Sequence, residues 1–222
     1  MHPYITGIEK IFRTHADPHN AAGAKAYLRN QFEHYGLPTP LRRSTAKAYF
    51  KKELPDYKEL PVIIKALWQQ PYRELHYFAV ELLLAHKKQW KPDIIKLVEY
   101  LITHKSWWDT VDKIASEITA PYFLLFPEQM EPVTHAWNQA DNFWLQRVSI
   151  IFQNPYKQKT NTELLSAYIL HCRHSDEFFI QKAIGWALRE YSKTNAAWVK
   201  KFVATHELPA LSKREALKRI SN

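Results

Sequence analysis

Two tryptophans and two carboxylates stand together near the middle of the chain, in the segment KSWWDTVDKIASEI at residues 105 to 118. Trp108 and Asp112 are four residues apart, so a helix over this segment places both side chains on the same side. An ionised carboxylate next to an indole ring suits a cationic group, because both attract positive charge. The alternative interpretation is a capped helix with a buried tryptophan. Asp109 is well placed to cap the start of that helix, and it is a second candidate for the acid.

A repeated pattern indicates how this segment is positioned. Four segments, RELHYFAVELLL, WDTVDKIASEIT, FWLQRVSIIFQN and FFIQKAIGWALR, start at residues 73, 108, 143 and 178, each 35 residues after the one before. Each has apolar or small residues at helical spacing. Other helical segments lie between them, at 92–103, around 130–138 and at 162–172. A unit of about 35 residues with two helices predicts an all-α solenoid of HEAT-like helix pairs.

The repeat places Asp112 in a row of polar side chains. Equivalent positions of stacked repeats lie about 8–10 Å apart along one face of a solenoid. The fifth position of each segment is Tyr77, Asp112, Arg147 and Lys182, and Arg42 stands one period earlier. Neighbouring cations favour the charged form of an acid, so we expect Asp112 to be ionised at neutral pH. The same sequence pattern is also compatible with a solvated face on which Asp112 and Arg147 form a structural salt bridge.

Two of the eight tryptophans share the side of this row. Trp108 precedes Asp112 by one helical turn, and Trp186 follows the last cation of the row by one turn. Trp107 is then the member of the adjacent pair that we expect to pack inward. Tryptophans ordinarily pack in a core, which is the alternative for Trp108 and Trp186 as well.

The composition favours a folded helical protein that binds a polyanion. Hydrophobic residues make up 46% of the 222 residues and aromatic residues 14%, which excludes a disordered chain. Four glycines and no stretch of alternating hydrophobicity argue against β-hairpins. Lysine and arginine outnumber aspartate and glutamate by 31 to 22, which gives a net charge of +9 spread along the chain. Such a surface favours nucleic acid first and an anionic membrane second.

The chain lacks the features of a secreted or membrane-spanning protein. The single Cys172 excludes an internal disulfide and suits a reducing compartment. The opening MHPYITGIEKIF has no apolar signal core, and the apolar run ITAPYFLLFP is too short to span a bilayer. We therefore expect a cytoplasmic protein, without membrane contact and monomeric.

The remaining clusters give no cofactor or metal site. His171, Cys172 and His174 have ligand chemistry, but metal sites usually draw on two separated clusters and no second one is apparent. No glycine-rich phosphate loop and no HExxH or GxSxG motif occurs, so we expect no metal and no cofactor. Three lysines in loop-like stretches serve either phosphate contact or solubility. They are Lys157, Lys159 and Lys193.

Several of these segments resemble a known family. SWWDTVDKIASE, FWLQRVSIIFQ and FFIQKAIGWALREYSKTNAAWVKKFV are similar to segments of the bacterial HEAT-like DNA alkylation repair family (AlkD-like), and YGLPTPLRRS resembles its amino-terminal Thr-Pro motif. The likeness runs from about residue 70 to 207. It implies a right-handed α-solenoid whose concave basic face binds duplex DNA, and therefore a bacterial cytoplasmic protein associated with the nucleoid through DNA binding. It also implies removal of purines alkylated at N3 or N7, as in the alkylpurine DNA glycosylases of the family.

The resemblance also assigns roles to residues of this chain. The catalytic aspartate of the family corresponds to Asp112, its paired tryptophans to Trp108 and Trp186, and its arginine that clamps the DNA backbone to Arg147. Other DNA contacts are expected in the Thr-Pro motif, in the row and its neighbours, and in the basic loops. These residues are Thr39, Arg42, Arg43, Tyr77, Lys157, Lys159, Lys182, Arg189 and Lys193.

Two other functions fit the same sequence. A non-catalytic DNA-binding solenoid that recognises unusual DNA structure would share the basic face but tolerate loss of Asp112. A HEAT-like scaffold for an acidic protein partner would bind DNA weakly. In each case we expect a single repeat domain over residues 1–222, with amino-terminal helices in 1–40, repeats in 41–207 and a terminal capping helix in 208–222.

Overall fold

A computed structural model describes residues 2–220 of the chain. These residues contain fourteen α-helices and no β-strand; an isolated bridge joins Glu33 to Tyr72. The prediction of an all-α fold is confirmed. Ser221 and Asn222, the last residues of the predicted capping segment, lie outside the described residues. The chain divides into two units, residues 1–97 and 98–222.

The first unit consists of five helices and the start of a sixth. A helix pair at its amino end begins with prolines, whose missing N–H costs nothing in the first turn. The helices are α1 (Pro3–Thr14), α2 (Pro18–Tyr27), α3 (Thr39–Lys52), α4 (Leu60–Trp68), α5 (Arg73–Ala85) and α6 (Ile95–Thr103), which crosses the boundary at residue 97. Two 3-10 turns, Lys87–Gln89 and Pro92–Ile94, precede α6.

A buried carboxylate fixes the loop between α2 and α3. Glu74, in the first turn of α5, accepts hydrogen bonds from the backbone N–H groups of Tyr35 (3.1 Å) and Gly36 (2.9 Å). His34 lies 3.7 Å from the same carboxylate. Burial acts to raise the pKa of Glu74, but His34 and the backbone N–H groups outweigh it, so the pKa lies below its ordinary value. Gly36 has a φ of +87°, which a residue with a side chain rarely adopts.

The second unit contains the remaining helices. They are α7 (Trp108–Lys113), α8 (Ala120–Leu125), α9 (Met130–Asn138), α10 (Phe143–Ile151), α11 (Thr162–Cys172), α12 (Phe178–Ser192), α13 (Ala196–Thr205) and α14 (Ala210–Leu217). A π-helical segment, Ile114–Thr119, joins α7 to α8, and 3-10 segments cover Pro127–Gln129 and Asn154–Lys159. Within residues 2–220, no helix combines the length and apolarity that crossing a bilayer requires.

The predicted repeat matches the observed helix starts. Helices α5, α7, α10 and α12 begin at residues 73, 108, 143 and 178, which are the four positions given by the sequence period. Helix α9 occupies the predicted 130–138, and α11 the predicted 162–172. Two of these starts have capping side chains. Asn142 and Glu177 precede α10 and α12 and accept hydrogen bonds from backbone N–H groups of the first turn, whereas Tyr72 and Trp107, before α5 and α7, make no such bond.

Apolar side chains of the helices form the core of each unit. Each buried aliphatic or aromatic side chain contributes about 1.5–3 kcal/mol relative to exposure. In the first unit the fully buried residues include Ile5, Ile8, Phe12, Ile63, Leu67 and Phe78. In the second they include Val111, Ile114, Val148, Ile150, Ile184 and Leu188.

Candidate functional site

Asp112 and Arg147 form a two-point ion pair. Arg147 donates from Nε to Oδ1 of Asp112 over 2.8 Å and from Nη2 to Oδ2 over 2.9 Å. Helix α10, which carries Arg147, packs between α7 and α12, so equivalent positions of successive repeats meet as the row predicts. Such parallel hydrogen bonds fix both the position and the plane of a carboxylate. The structure therefore brings these two members of the row together.

Both partners of this ion pair are largely withdrawn from solvent. The Arg147 side chain is 5% exposed and that of Asp112 19%. Burial raises the pKa of the Asp112 carboxyl above its ordinary value of 3.8, and the charge and hydrogen bonds of Arg147 oppose the rise. Arg147 thus lowers the pKa of Asp112, as expected, but burial has the larger effect on that pKa. The two oxygens each accept an N–H, which is how an ionised carboxylate binds a guanidinium.

The third nitrogen of Arg147 connects the pair to the next helix. Nη1 donates to the backbone carbonyl of Phe179 in the first turn of α12. All three guanidinium nitrogens are therefore used within the protein. The phosphate contact expected of Arg147 stays a prediction, and the second N–H of Nη1 or of Nη2 could donate to it.

The two tryptophans of the opening motif are both half-buried. Trp107 packs on Trp144 and Phe179, with ring centroids 6.1 and 5.3 Å apart, but it is half-buried like Trp108, so its inward packing relative to Trp108 stays a prediction. Trp108 begins α7 and Trp186 lies in α12, and both are partly exposed. Their role beside a substrate stays a prediction. The capping position at the start of α7 is Trp107 rather than Asp109, which lies in the first turn instead. A carboxylate there still interacts favourably with the positive helix end.

Two predicted DNA contacts on α12 share one carboxylate. Glu215 of α14 lies 3.2 Å from Lys182 and forms an ion pair with Arg189. The two cations are seven residues apart on one stripe of α12, with Gly185 between them. Burial acts to raise the pKa of Glu215, but the two cations outweigh it and lower the pKa. Lys182 therefore faces α14 and does not join Asp112 and Arg147.

The amino-terminal members of the row meet within the first unit. The Arg42 guanidinium carbon lies 4.8 Å from the centre of the Tyr77 ring, and Arg42 donates to Glu81 over 2.8 Å. Arg43 lies 3.8 Å from the same carboxylate. Arg42 is buried, whereas Arg43 and Thr39, at the start of α3, are exposed. Their contacts with DNA stay predictions.

The lysines of the basic loops divide into two groups. Lys157 and Lys193 line one cavity of about 320 Å³ in the second unit. All three lysines are exposed, and Lys159 is not part of that lining. The HCRH segment is not a ligand cluster: within residues 2–220 no three His, Cys, Asp or Glu side chains are grouped to hold a metal ion.

Sequence reasoning missed the carboxylates that pair with the predicted cations. Glu81 lies one helical turn after Tyr77, and Glu215 lies in a segment interpreted only as a capping helix. The position of Glu81 was a usable signal, because residues four apart share a helix side. Nothing in the sequence period points to Glu215, since α14 falls outside the repeat.

Known proteins resemble the chain along nearly its whole length. The family model described as "DNA alkylation repair enzyme" matches residues 8–220. A protein of known structure described as a predicted DNA alkylation repair enzyme from Enterococcus faecalis is 33% identical, with a TM-score of 0.87 over 93% of this chain and 97% of its own. AlkD2 from Streptococcus mutans is 15% identical, with a TM-score of 0.64 over 84% of this chain and 92% of its own.

The three findings carry different weight. The likeness to AlkD2 concerns the fold alone and supports the HEAT-like helical repeat. No curated protein is significantly similar to the chain in sequence. The family match covers far more than half of the chain, and the Enterococcus protein is similar over almost all of it. The chain belongs to the DNA alkylation repair enzyme family.

Proposed function

We propose that the protein is a DNA glycosylase that hydrolyses the N-glycosidic bond of purines alkylated at N3 or N7 in duplex DNA. Membership of the DNA alkylation repair enzyme family supports DNA as the substrate. The observation that carries the proposal is the two-point ion pair between Asp112 and Arg147, one turn from the partly exposed Trp108. It holds one carboxylate in a fixed orientation with part of its surface open to solvent.

The chemistry needs one carboxylate rather than two. Alkylation at N3 or N7 gives the purine a positive charge, so the bond to the sugar can break with its electron pair going to the base, which leaves neutral. No acid is needed to protonate the leaving group, unlike in ordinary glycoside hydrolysis. The sugar that remains has oxocarbenium character. Asp112 stabilises that charge and accepts a proton from the water that attacks C1′.

The neighbouring side chains have supporting roles in this scheme. Trp108 and Trp186 present aromatic faces to the cationic base and sugar, worth about 0.5–2 kcal/mol each. Arg147 holds the carboxylate in place, and contact with a DNA phosphate is its second proposed role. The remaining predicted DNA contacts bind phosphates and make affinity dependent on salt. They are Thr39, Arg42, Arg43, Tyr77, Lys157, Lys159, Lys182, Arg189 and Lys193.

One experiment tests this function directly. Release of 7-methylguanine from methylated duplex DNA is measured for the native protein and for Asp112→Asn. We expect release by the native protein only, with DNA affinity intact or improved in the variant because a negative charge is lost. A thermal melt of both proteins controls for unfolding, since the substitution leaves Arg147 facing a neutral amide.

The ion pair itself suggests a second function. A purely structural salt bridge would also have a carboxylate whose two oxygens both bind a buried arginine. The protein would then be a non-catalytic reader of unusual DNA structure. Tight duplex binding with no base release from either protein would support that function and contradict the glycosylase.

A further inference from the structure

The helical stretch that carries Asp112 is π-helical in its middle. Helix α7, the π-helical segment Ile114–Thr119 and α8 follow each other without a break. The backbone N–H of Ala120 donates to the carbonyl of Ala115, five residues earlier, where a regular α-helix would bond to the fourth. In the part of the chain that the structure describes, no other segment is π-helical. Single π-helical turns within α-helices occur frequently at functional sites.

Pro121 accounts for this irregular turn. In a regular helix its nitrogen would donate to the carbonyl of Glu117, but proline has no N–H and its ring would collide with that carbonyl. The wider π-helical turn moves the carbonyl away from the ring. A proline at the very start of a helix would cause no such disturbance, yet here α7 and the π-helical segment precede it without a break.

The π-helical segment leaves a buried hydroxyl without a partner. The side chain of Thr119 is fully buried, and its Oγ1 forms no hydrogen bond within residues 2–220. Thr134 and Thr205, in α9 and α13, donate to the carbonyl four residues earlier. For Thr119 that carbonyl belongs to Ala115, which accepts from the N–H of Ala120 instead. An unpaired buried hydroxyl destabilises the fold, and such a local cost is retained where the surrounding structure requires it.

Both ends of the π-helical segment are fixed to the repeat that carries Arg147. On the amino side, both oxygens of Asp112 bind Arg147 of α10. On the carboxyl side, the buried Tyr156, in the 3-10 segment after α10, donates its hydroxyl to the carbonyl of Ala120 over 2.7 Å. Tyr122 of α8 is fully buried as well. Because α8 is held in the core, the π-helical segment decides in which direction the side chains of α7 point.

The extra residue of the wide turn changes the direction of Asp112. Each residue turns an α-helix by about 100°, so one inserted residue rotates the side chains before it by about that angle relative to those after it. With α8 in its present position, a regular helix would turn Asp112 away from the guanidinium of Arg147. The proposed reaction needs this carboxylate in a fixed place, and a displacement of about 1 Å can lower a rate about 100-fold.

We propose that Pro121 is a positioning residue for the glycosylase, because it maintains the π-helical segment and so directs Asp112 onto Arg147 and towards the reacting sugar. The inference rests on the proposed function, since it concerns the reaction that Asp112 is proposed to perform. Pro121 acts through the backbone and needs no contact with DNA. Its substitution should therefore impair the reaction without weakening the binding of duplex DNA.

The test is Pro121→Ala in the full chain. Alanine supplies the missing N–H and removes the ring, so the π-helical segment can become a regular α-helix. We expect release of 7-methylguanine from methylated duplex DNA, measured with saturating protein, to fall about 10- to 100-fold, with the Kd for DNA unchanged. The melting temperature should equal or exceed that of the native protein, because alanine favours a helix more than proline does. In a crystal structure of the variant, the N–H of Ala120 should donate to the carbonyl of Ser116 instead of Ala115.

Two control variants separate positioning from stability. Thr119→Val removes the unpaired hydroxyl but keeps the proline, so the melting temperature should rise while the rate of release stays native. Pro61→Ala removes a proline from the first turn of α4, where it disturbs no helix, and should leave the rate unchanged. A loss of rate in Thr119→Val as large as that in Pro121→Ala would overturn the proposal, because any change in the segment would then impair the reaction.

A double-mutant cycle with Arg147→Lys tests whether Pro121 acts through Asp112. In the native background this substitution should lower the rate, because lysine cannot bind both carboxylate oxygens as arginine does. In Pro121→Ala it should have little further effect, since the contact is already lost. Losses that multiply would overturn the inference, as would a native rate in Pro121→Ala or survival of the π-helical segment in that variant. Those results leave the proposed function standing, whereas absence of release by the native protein would overturn both.

Discussion

Arg147 reaches Asp112 across one full repeat: the two residues are 35 positions apart, and two hydrogen bonds of 2.8 and 2.9 Å join them. This contact is the most direct consequence of the sequence period, since stacking equivalent positions is what brings them together. It also decides how substitutions at either residue act. Each changes the chemistry of the proposed site and the stability of a buried ion pair at once, so the two effects must be separated.

Substitution of Arg147 should separate positioning from charge. Arg147→Lys keeps the positive charge but loses the fork that binds both carboxylate oxygens, so we expect base release to fall with a modest loss of stability. Arg147→Ala leaves Asp112 unpaired in a buried position and should cost about 3–5 kcal/mol in the free energy of unfolding. Urea unfolding and 7-methylguanine release measure the two effects.

The matched control for Arg147→Ala is Lys25→Ala. Lys25 also pairs with a carboxylate, that of Glu33, but the two side chains are 38% and 54% exposed, so the loss should stay below about 1 kcal/mol. Equal losses in the two variants would contradict the structural role given to Arg147. A fall in DNA affinity as large as the fall in turnover would instead indicate direct phosphate contact.

The pH dependence of base release should report the environment of Asp112. The reaction needs the ionised carboxylate, and burial raises the pKa of Asp112 above its ordinary value of 3.8. Activity should therefore decline on acidification at a pH higher than for an ordinary aspartate. Release by Asp112→Asn at each pH is subtracted, because acid also removes alkylated purines without an enzyme. An acidic limb at or below 3.8 would contradict the assignment.

The sequence predicted the fold more completely than the site. The period located four helix starts to the residue, because apolar spacing is a local property of the chain, and capping side chains support the starts of α10 and α12. The π-helical segment after Lys113 was not predicted. Pro121, which has no N–H to donate, was a sign that regular helical bonding would be disturbed there.

The partners of the predicted cations depend on packing that no local pattern encodes. The row correctly joined Asp112 to Arg147 and Arg42 to Tyr77. It did not predict that Lys182 pairs with Glu215, because α14 lies outside the repeat. Helix α14 packs closely against α12 at Gly185, which has no side chain. Side-chain exposure is likewise set by tertiary structure, and so is backbone strain, such as that shown by the φ of 54° at Lys157.

Acid should weaken the fold through Glu74. Its pKa is lower in the folded protein than its ordinary value of 4.5, so the unfolded chain binds more protons between the two values. The stabilisation is present above 4.5 and is lost as the pH falls through the lower, folded-state value. The difference in unfolding free energy between the native protein and Glu74→Gln should therefore shrink as the pH falls below 4.5. A constant difference over that range would be the contrary result.

Gly185 should be a position where a single methyl group displaces a helix. A Cβ there would lie 2.5 Å from Cβ of Glu215 and 3.0 Å from the carbonyl oxygen of Ser212. Gly185→Ala should therefore lower stability by about 1–3 kcal/mol. Gly23→Ala, on α2 with no atom within 4 Å, is the control and should raise stability by about 0.5–1 kcal/mol. Losses of similar size in both variants would argue against close packing of α14 on α12.

Glu215 should limit the affinity of the protein for DNA. It pairs with Lys182 and Arg189, two of the proposed phosphate contacts, and so reduces the positive charge that α12 offers. Glu215→Gln keeps the size of the side chain and removes the charge. We expect lower stability, because the two cations lose their partner, together with tighter binding of duplex DNA and a steeper dependence on salt.

Substitution of a carboxylate that pairs with no cation distinguishes the local effect of Glu215 from an effect of net charge. Glu128 is exposed, and among the described residues it forms no ion pair, so Glu128→Gln changes the net charge by the same amount. If affinity and salt slope rise equally in both variants, the gain comes from overall charge and Lys182 and Arg189 do not contact phosphate. A rise confined to Glu215→Gln means that these two cations become available to DNA once α14 no longer neutralises them. Helix α14 would then set the strength of DNA binding without touching the substrate.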